Sequence, residues 1–368
     1  MCLVGFVLAS AASGSGVPRY AARLTRALDA VSPEFPGLRL SLLTTPAGAE
    51  VAEARRIGVR AVPVPRQTAS SSPIRLALDQ LGTARGGHEL LHFFDLTGPR
   101  LGRSRPFVTT IHDVSIVHGF ERVRHAYKRS LYPWALAHAR RVVAVSEFAK
   151  DEARRHFGVP EDRIVVVHSG PGLVASGRES RPNGPSPAGP FLLYVGDLTP
   201  KKNVAFLVRA FARAGVPDRL VLVGRPRESY PELDAELARA GRERVQVIDG
   251  ATEAEVDGLY QTATALLLPS RYEGFGFTPL EAMARGCPVL ASDIPAVREV
   301  SGDGALVLPL DDEPAWVDAI RRVASDERLR EDLRGRGKTT VSRYTWEETA
   351  RRLCRLFLGV RAEVGQRT

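Results

Sequence analysis

Short runs of β-branched and aliphatic residues alternate along this chain with longer segments of helical period, and this alternation constrains the fold more than any other feature. Strands separated by helices return to the same edge of a sheet, so they pair in parallel. The pattern therefore predicts an α/β fold with parallel sheets. The predicted strands are residues 3–9, 38–43, 59–64, 90–94, 107–111, 142–145, 164–167, 191–195, 220–223, 245–248, 265–268 and 289–291, and helical segments such as 204–214 and 252–262 lie between them.

The chain is too long for one ordinary core. Its 368 residues fit two domains of roughly 150 to 180 residues each. Residues 173–190 are rich in Gly, Pro and Ser and cannot pack a core, which predicts an exposed linker. We therefore expect a first domain over 1–172 and a second over 191–345. A final helix within 346–368 has one apolar face that suits packing on a folded surface.

Composition excludes several classes of protein. Hydrophobic residues at 44% and charged residues at 25% are typical of a globular protein. The three cysteines lie far apart without a C-x-x-C spacing, which argues against a disulfide framework or a structural zinc site and predicts a cytoplasmic setting. The net charge of +9 is spread along the chain without a nucleic-acid module, so we expect no nucleic-acid partner.

Two features of the first half lie at strand ends. Gly14 and Gly16 follow the first strand in S-G-S-G-V-P-R-Y, where a turn can direct backbone N–H groups to a ligand or simply reverse the chain. The dinucleotide fingerprint G-x-G-x-x-G is not met. His112 follows the predicted strand 107–111, and open α/β sheets place ligand residues at such carboxyl ends. A lone histidine is more often a structural residue.

A lysine pair stands out in the second half. Lys201 and Lys202 occur in Y-V-G-D-L-T-P-K-K-N, although only five of the 51 basic residues are lysines. An ammonium is a compact charge suited to a diphosphate, and the alternative is a solvated surface pair. Asn203 is the predicted N-cap of the next helix.

The densest signal is P-S-R-Y-E-G-F-G-F-T-P-L-E-A-M-A, which predicts a strand end, a glycine turn and a helix starting at Pro279. The turn directs the backbone N–H groups of residues 275–277 to an anion, and the carboxylates of Glu273 and Glu281 on either side can accept hydrogen bonds from sugar hydroxyls. Thr278 and Glu281 also spell a capping box, which leaves Glu281 undecided between ligand and helix end.

On these residues the chain resembles the retaining glycosyltransferases of the GT-B fold, in the glycosyl transferase group 1 (GT4) family. The most specific match is the E-x7-E motif from Glu273 to Glu281, supported by G-S-G-V-P-R-Y, T-T-I-H-D-V-S and Y-V-G-D-L-T-P-K-K-N. The resemblance covers nearly the whole chain. It implies two Rossmann-like, doubly wound parallel-sheet domains facing a cleft, with the last helix packed back on the first domain.

The resemblance also implies roles. Glu281 would hold the nucleotide ribose, Glu273 the donor-sugar hydroxyls and Lys202 the diphosphate, while Gly16 would lie near the phosphates and His112 beside the donor sugar. The expected catalytic residues are His112, Lys202 and Glu273, and the expected donor-binding residues are Gly14, Gly16, Asp197, Lys201, Lys202, Glu273, Gly274, Phe275, Gly276, Phe277, Thr278 and Glu281.

Two positions depart from the family pattern. Asp197 stands where an arginine is common, and Pro18 stands where a glycine is common. Lys201 is expected to supply the charge that Asp197 does not.

The implied reaction transfers a hexosyl unit from GDP-mannose, or from a UDP- or GDP-hexose, to a hydroxyl of a glycan, lipid-linked or small-molecule acceptor. It proceeds by front-face attack, with no protein nucleophile, no metal and no further cofactor. One alternative is a nicotinamide-dependent oxidoreductase, against which the missing fingerprint counts. The other is a non-catalytic sugar-nucleotide-binding subunit, against which the intact motif counts.

A basic segment suggests a further contact. Arg122, Arg124, Lys128 and Arg129 lie beside Tyr127, Leu131 and Trp134, a pattern that predicts a basic amphipathic helix. We expect it to touch an anionic membrane surface or an acidic acceptor. Acceptor contacts are also expected from loops 65–73 and 118–129.

Overall fold

The structure is a computed structural model, and it describes residues 2–8, 16–44, 58–61, 87–96, 105–120, 128–172, 187, 189–226 and 228–365. The chain divides into two compact units. The first unit comprises Met1–Gly170 with Thr345–Thr368, and the second comprises Pro171–Tyr344. Most of the predicted linker lies outside the described residues.

The first unit contains a parallel sheet of seven described strands in the order β3-β2-β1-β4-β5-β6-β7. Its strands are β1 (Cys2–Leu8), β2 (Leu38–Thr44), β3 (Gly58–Ala61), β4 (Leu90–Phe93), β5 (Phe107–Ile111), β6 (Arg141–Ala144) and β7 (Ile164–Val166). Every residue of β4 and β5 is buried, as expected where helices cover both faces of a parallel sheet.

The described helices of the first unit are Gly16–Val31, Lys128–His138, Glu147–Phe157 and Trp346–Gly365. Helix Gly16–Val31 buries the apolar stripe that its period predicts, from Tyr20 through Leu24 to Val31. Helix Trp346–Gly365 packs against it, with the rings of Tyr20 and Trp346 at 5.5 Å between centroids. The last helix thus belongs to the first unit.

The second unit contains a parallel sheet in the order β10-β9-β8-β11-β12-β13. Its strands are β8 (Phe191–Val195), β9 (Arg219–Val223), β10 (Val245–Ile248), β11 (Ala265–Leu268), β12 (Val289–Ser292) and β13 (Leu306–Leu308). Counted within the unit this is the order 3-2-1-4-5-6 of dinucleotide-binding sheets. The predicted α/β class with parallel sheets is confirmed. The three-residue strand β13 was not predicted.

Helices cover both faces of this second sheet. They are Val204–Ala214, Pro231–Ala240, Glu253–Thr262, Phe277–Ala284, Pro295–Ser301, Glu313–Ser325 and Glu327–Val341. Successive residues of β8 point to opposite faces, so Leu192 and Tyr194 join a core cluster with Trp316, whereas Phe191 and Leu193 join another. The strand is therefore buried from both sides.

The basic segment of the first unit is only partly described. Arg122, Arg124 and Tyr127 lie outside the described residues, while helix Lys128–His138 buries Leu131 and stacks Trp134 on the ring of Phe107, at 6.1 Å between centroids. These apolar side chains thus pack within the unit. Of the helices described, none is both long enough and apolar enough to cross a bilayer. Membrane contact stays a prediction.

A close backbone contact shapes the end of β8. Gly196 has φ 154°, and its N–H donates to the Val223 carbonyl at 2.9 Å. A Cβ on Gly224 would lie 1.8 Å from the Gly196 carbonyl oxygen. Since real Cβ atoms do not approach that closely, glycine at residue 224 lets the segments after β8 and β9 run side by side.

We predict that Gly224→Ala lowers the free energy of unfolding by about 2 kcal/mol or more, because the methyl group forces these segments apart. Gly335→Ala is the matched control. Gly335 is exposed within helix Glu327–Val341, and an added Cβ meets nothing within 4 Å. The control should gain about 0.5–1 kcal/mol, since alanine restricts the unfolded chain. Urea unfolding measures the free energy of unfolding of both variants. If Gly224→Ala is no less stable than Gly335→Ala, the steric explanation is wrong.

Candidate functional site

The second sheet has a topological switch point between β8 and β11. From β8 the chain winds outward through β9 and β10 on one side, and it then crosses to β11, β12 and β13 on the other. Ligands of open α/β sheets bind in the crevice outside the carboxyl ends of the two strands at such a point. The segment 196–203 follows β8 and the segment 269–276 follows β11. Both of the predicted second-half motifs therefore meet at this crevice.

Lys202 and Glu273 form an ion pair across the switch point. The Lys202 Nζ lies 2.5 Å from Glu273 Oε1, and the Ser270 hydroxyl donates to the same oxygen at 2.7 Å. The two charged side chains are 18% and 15% exposed. A partly desolvated cation and carboxylate thus stand together where the topology directs a ligand.

The two segments are also joined through their backbones. The Arg271 N–H donates to the Lys201 carbonyl at 2.9 Å, and the Lys201 ammonium lies 5.8 Å from the centre of the Tyr272 ring. The structure therefore places Lys201 against the segment that follows β11. Whether Lys201 also compensates for Asp197 stays a prediction.

Asn203 and Asp311 form a second link, which sequence reasoning missed. Asn203 is the N-cap residue of helix Val204–Ala214, as predicted, but its side chain makes no cap hydrogen bond. Its Nδ2 instead donates to Asp311 Oδ1 at 3.0 Å, and Arg271 Nη1 donates to Asp311 Oδ2 at 2.5 Å. Asp311, which follows β13, thereby holds a residue from each segment.

The backbone at this link is strained. Asn203 and Asp311 have φ 58° and 62°, and among the described residues they are the two non-glycine positions with positive φ. Such conformations persist only where surrounding contacts enforce them, and they cluster at binding and catalytic sites. The strain thus coincides with the crevice that the topology indicates.

Glu281 is not part of a capping box. The helix begins at Phe277, two residues before the predicted start, because Gly276 adopts a left-handed conformation with φ 119°. Thr278 therefore lies inside the helix, which has no side-chain cap. The capping alternative for Glu281 is wrong.

The Glu281 carboxylate is buried and held by a neighbouring helix. The side chain is 2% exposed, and its Oε2 accepts a hydrogen bond from the Tyr260 hydroxyl at 3.1 Å. Gly172 approaches the other oxygen so closely that a Cβ there would lie 2.1 Å from Oε1. The carboxylate is thus fixed in one orientation.

Aromatic side chains support the base of the crevice. The Tyr194 hydroxyl donates to the Asp197 carbonyl at 2.9 Å, and burial, reinforced by the charges of Glu273 and Asp197, raises the Tyr194 pKa. Phe275 is buried and packs edge-on against Phe277 at 5.0 Å. The neutral tyrosine and the aromatic pair anchor the two segments that carry the charged residues.

In the first unit, His112 lies at the carboxyl end of β5. Its Nε2–H donates to the Phe94 carbonyl at 2.7 Å, which leaves Nδ1 as an acceptor. The Tyr20 ring lies edge-on at 4.6 Å. Burial lowers the His112 pKa, an effect partly offset by that carbonyl and by the charges of Asp95 and Asp113, so the ring is neutral at pH 7. Gly16 begins its helix, and Gly14 lies outside the described residues.

His92 is a buried neighbour that the sequence did not single out, because it sits within strand β4. It is fully buried, and its Nε2 lies 2.8 Å from the Thr110 hydroxyl. Burial, with a smaller contribution from His112, lowers its pKa to about 3. His92 is therefore neutral across the physiological range.

This shift makes the first unit sensitive to acid. The folded pKa of His92 is about 3, below its ordinary value of 6.5, so the unfolded chain takes up the proton first as the pH falls. The stability that the neutral His92 contributes above pH 6.5 is lost between about pH 6.5 and pH 3. At pH 4 the loss due to His92 is about 3 kcal/mol in the free energy of unfolding.

The free energy of unfolding should fall between pH 7 and pH 4. We predict that this fall is about 3 kcal/mol smaller in His92→Gln than in the wild type, because glutamine does not titrate. The exposed His138 provides the control, and His138→Gln should follow the wild-type curve. Urea unfolding at a series of pH values gives the comparison. Parallel curves for His92→Gln and wild type would show that His92 titrates normally.

Each half of the chain matches a family of glycosyltransferases. Residues 14–171 match the family model described as Glycosyltransferase Family 4, and residues 177–340 match the one described as Glycosyl transferases group 1. O-antigen chain mannosyltransferase B of Escherichia coli is 31% identical over 261 residues, which cover 65% of this chain and 67% of that protein.

Solved structures share the fold. Sucrose-phosphate synthase of Thermosynechococcus elongatus matches with a TM-score of 0.75 and 20% identity, over 99% of this chain and 100% of that one. Anabaena Alr3699/HepE, solved in complex with UDP-glucose, matches with a TM-score of 0.71 and 17% identity, over 98% of this chain and 100% of that one. The predicted GT-B fold of two Rossmann-like units is confirmed.

Proposed function

The chain belongs to the glycosyl transferase group 1 (GT4) family, and from that premise we propose that it moves a hexosyl unit from a nucleotide-diphosphate sugar to an acceptor hydroxyl with retention of configuration. It is a glycosyltransferase by family, which removes the nicotinamide oxidoreductase alternative. The observation that carries the proposal is the ion pair of Lys202 and Glu273 at the switch point of the second sheet.

The diphosphate of the donor binds Lys202 and the start of helix Phe277–Ala284. The first helical residues leave backbone N–H groups without intrahelical partners, and the helix dipole adds positive potential there. A diphosphate competes with Glu273 for the ammonium, because it offers more negative charge and more acceptor oxygens. Arrival of the donor therefore releases Glu273 from the ion pair.

The freed Glu273 carboxylate accepts hydrogen bonds from hydroxyls of the donor sugar. Ser270, which donates to Glu273 Oε1 at 2.7 Å, keeps the carboxylate at the crevice when Lys202 turns to the phosphate. In this proposal Glu281 accepts from the ribose hydroxyls, with Tyr260 holding its orientation. The backbone of residues 274–278 lies against the sugar and the phosphates.

The reaction needs no protein nucleophile. The bond from the anomeric carbon to the phosphate oxygen breaks, the bond to the acceptor oxygen forms on the same face, and the acceptor proton passes to the departing phosphate. Charge grows on that phosphate, so Lys202 and the helix N-terminus stabilise the transition state more than the bound donor. These groups supply the positive charge, so the proposed mechanism invokes no metal. The role of His112 beside the donor sugar stays a prediction.

Two donor classes come first in a search for the substrate. The relative from Escherichia coli is named a mannosyltransferase, which favours GDP-mannose, and Alr3699/HepE was solved with UDP-glucose, which favours UDP-hexoses. The acceptor is a hydroxyl of a glycan, a lipid-linked sugar or a small molecule. Slow hydrolysis of the donor by water tests the donor alone, because it needs no acceptor.

We predict that the chain slowly hydrolyses one of these nucleotide sugars, and that Lys202→Ala and Glu273→Gln each lower the rate tenfold or more, equivalent to about 1.4 kcal/mol or more in transition-state stabilisation. Release of nucleoside diphosphate gives the rate.

Two exposed residues of helix Glu327–Val341 provide matched controls. Lys338→Ala and Glu331→Gln make the same chemical changes on the surface and should keep the wild-type rate. Wild-type turnover in Glu273→Gln would overturn the site assignment. If the chain binds nucleotide sugars but hydrolyses none of them, the alternative function of a non-catalytic sugar-nucleotide-binding subunit is favoured.

A further inference from the structure

A cluster of three possible metal ligands lies in the first unit. His118 belongs to the segment that follows β5, and Glu152 and His156 lie four residues apart, on one face of helix Glu147–Phe157. His118 Nε2 is in direct contact with Glu152 Oε2, and His156 Nε2 lies 3.5 Å from Glu152 Oε1. The three ligand atoms lie within 4.8 Å of one another.

The buried charge of Glu152 would be stabilised by a bound cation. Its side chain is 4% exposed, and burying a carboxylate without a positive partner costs several kcal/mol. In the part of the chain that the structure describes, the salt bridges of Glu152 are to the two histidines, which carry no permanent charge. The nearby Lys150 and Arg154 pair with other carboxylates, including that of Glu161.

The donor set matches the preferences of zinc and related ions. Two imidazole nitrogens and one carboxylate oxygen are ligands of Zn²⁺, Co²⁺ and Ni²⁺, and three protein ligands leave a position for water. His118 and His156 are about one-third exposed, so an ion reaches the cluster from solvent, while the buried Glu152 supplies the negative charge. An ion between the three would separate the close contact of His118 and Glu152.

We infer that His118, Glu152 and His156 bind a divalent transition-metal ion. The ion ties the segment 113–120 to helix Glu147–Phe157. That segment starts directly after His112, and its first turn is held by Asp113, whose Oδ1 accepts from the Ser115 N–H and hydroxyl at 3.1 and 2.8 Å. The ion thus has a structural role, in a different compact unit from Lys202 and Glu273. This inference does not depend on the proposed reaction.

The test is metal binding by the full, untagged chain after treatment with a chelator. At pH 7.5, Co²⁺ should bind at one equivalent with a Kd of about 10 µM or below, give visible d–d absorption, and be displaced by Zn²⁺. His118→Ala, His156→Ala and Glu152→Gln should each weaken binding tenfold or more.

His138→Gln is the matched control, since it removes another exposed imidazole of the first unit and should leave Co²⁺ binding unchanged. Circular dichroism checks that each variant is folded. His118→Ala is the variant least able to disturb the core, because His118 is exposed. Absence of Co²⁺ absorption at about 100 µM metal, or equal binding by wild type and His118→Ala, would overturn the inference.

Discussion

The contact between the Lys202 ammonium and the Glu273 carboxylate is the interaction on which the proposed donor site of the second unit depends. The residues are 71 positions apart and meet because β8 and β11 are neighbours in the sheet. An exposed ion pair contributes little to stability, and this one is partly exposed to solvent. The pair matters because both side chains are already partly dehydrated at the crevice. A more highly charged anion can therefore replace Glu273 as the partner of the Lys202 ammonium.

The segments that carry Lys202 and Glu273 are held in place by residues whose backbone is strained. Asn203 and Asp311 hold left-handed backbone conformations, and Asp311 accepts hydrogen bonds from Asn203 and Arg271. The close approach of Gly196 and Gly224 fixes the path of the chain out of β8. Conformational energy is thus stored around the proposed donor site, and the core of the unit, packed on both faces of its sheet, can support it. Such preorganisation reduces the cost of ordering the site when a ligand binds.

Much of this architecture was predictable, because hydrophobic periodicity reports burial directly. Helix Val204–Ala214 and strand β11 have their predicted bounds, whereas the short strand β13 was missed. Local motifs were less reliable. Thr278 and Glu281 spell a cap that the left-handed Gly276 overrides, and Asp311 gave no local signal because its partners lie 40 and 108 residues away.

In the proposed function, the second unit binds the donor's diphosphate between the ends of β8 and β11. Both units have a parallel sheet with a switch point, so the position of the nucleotide distinguishes them. A crystal structure with GDP or UDP bound tests the claim most directly. We expect phosphate oxygens about 3 Å from Lys202 Nζ and at the first turn of helix Phe277–Ala284. A diphosphate bound instead beside Gly16 in the first unit, with the Lys202–Glu273 pair intact, would contradict the proposal.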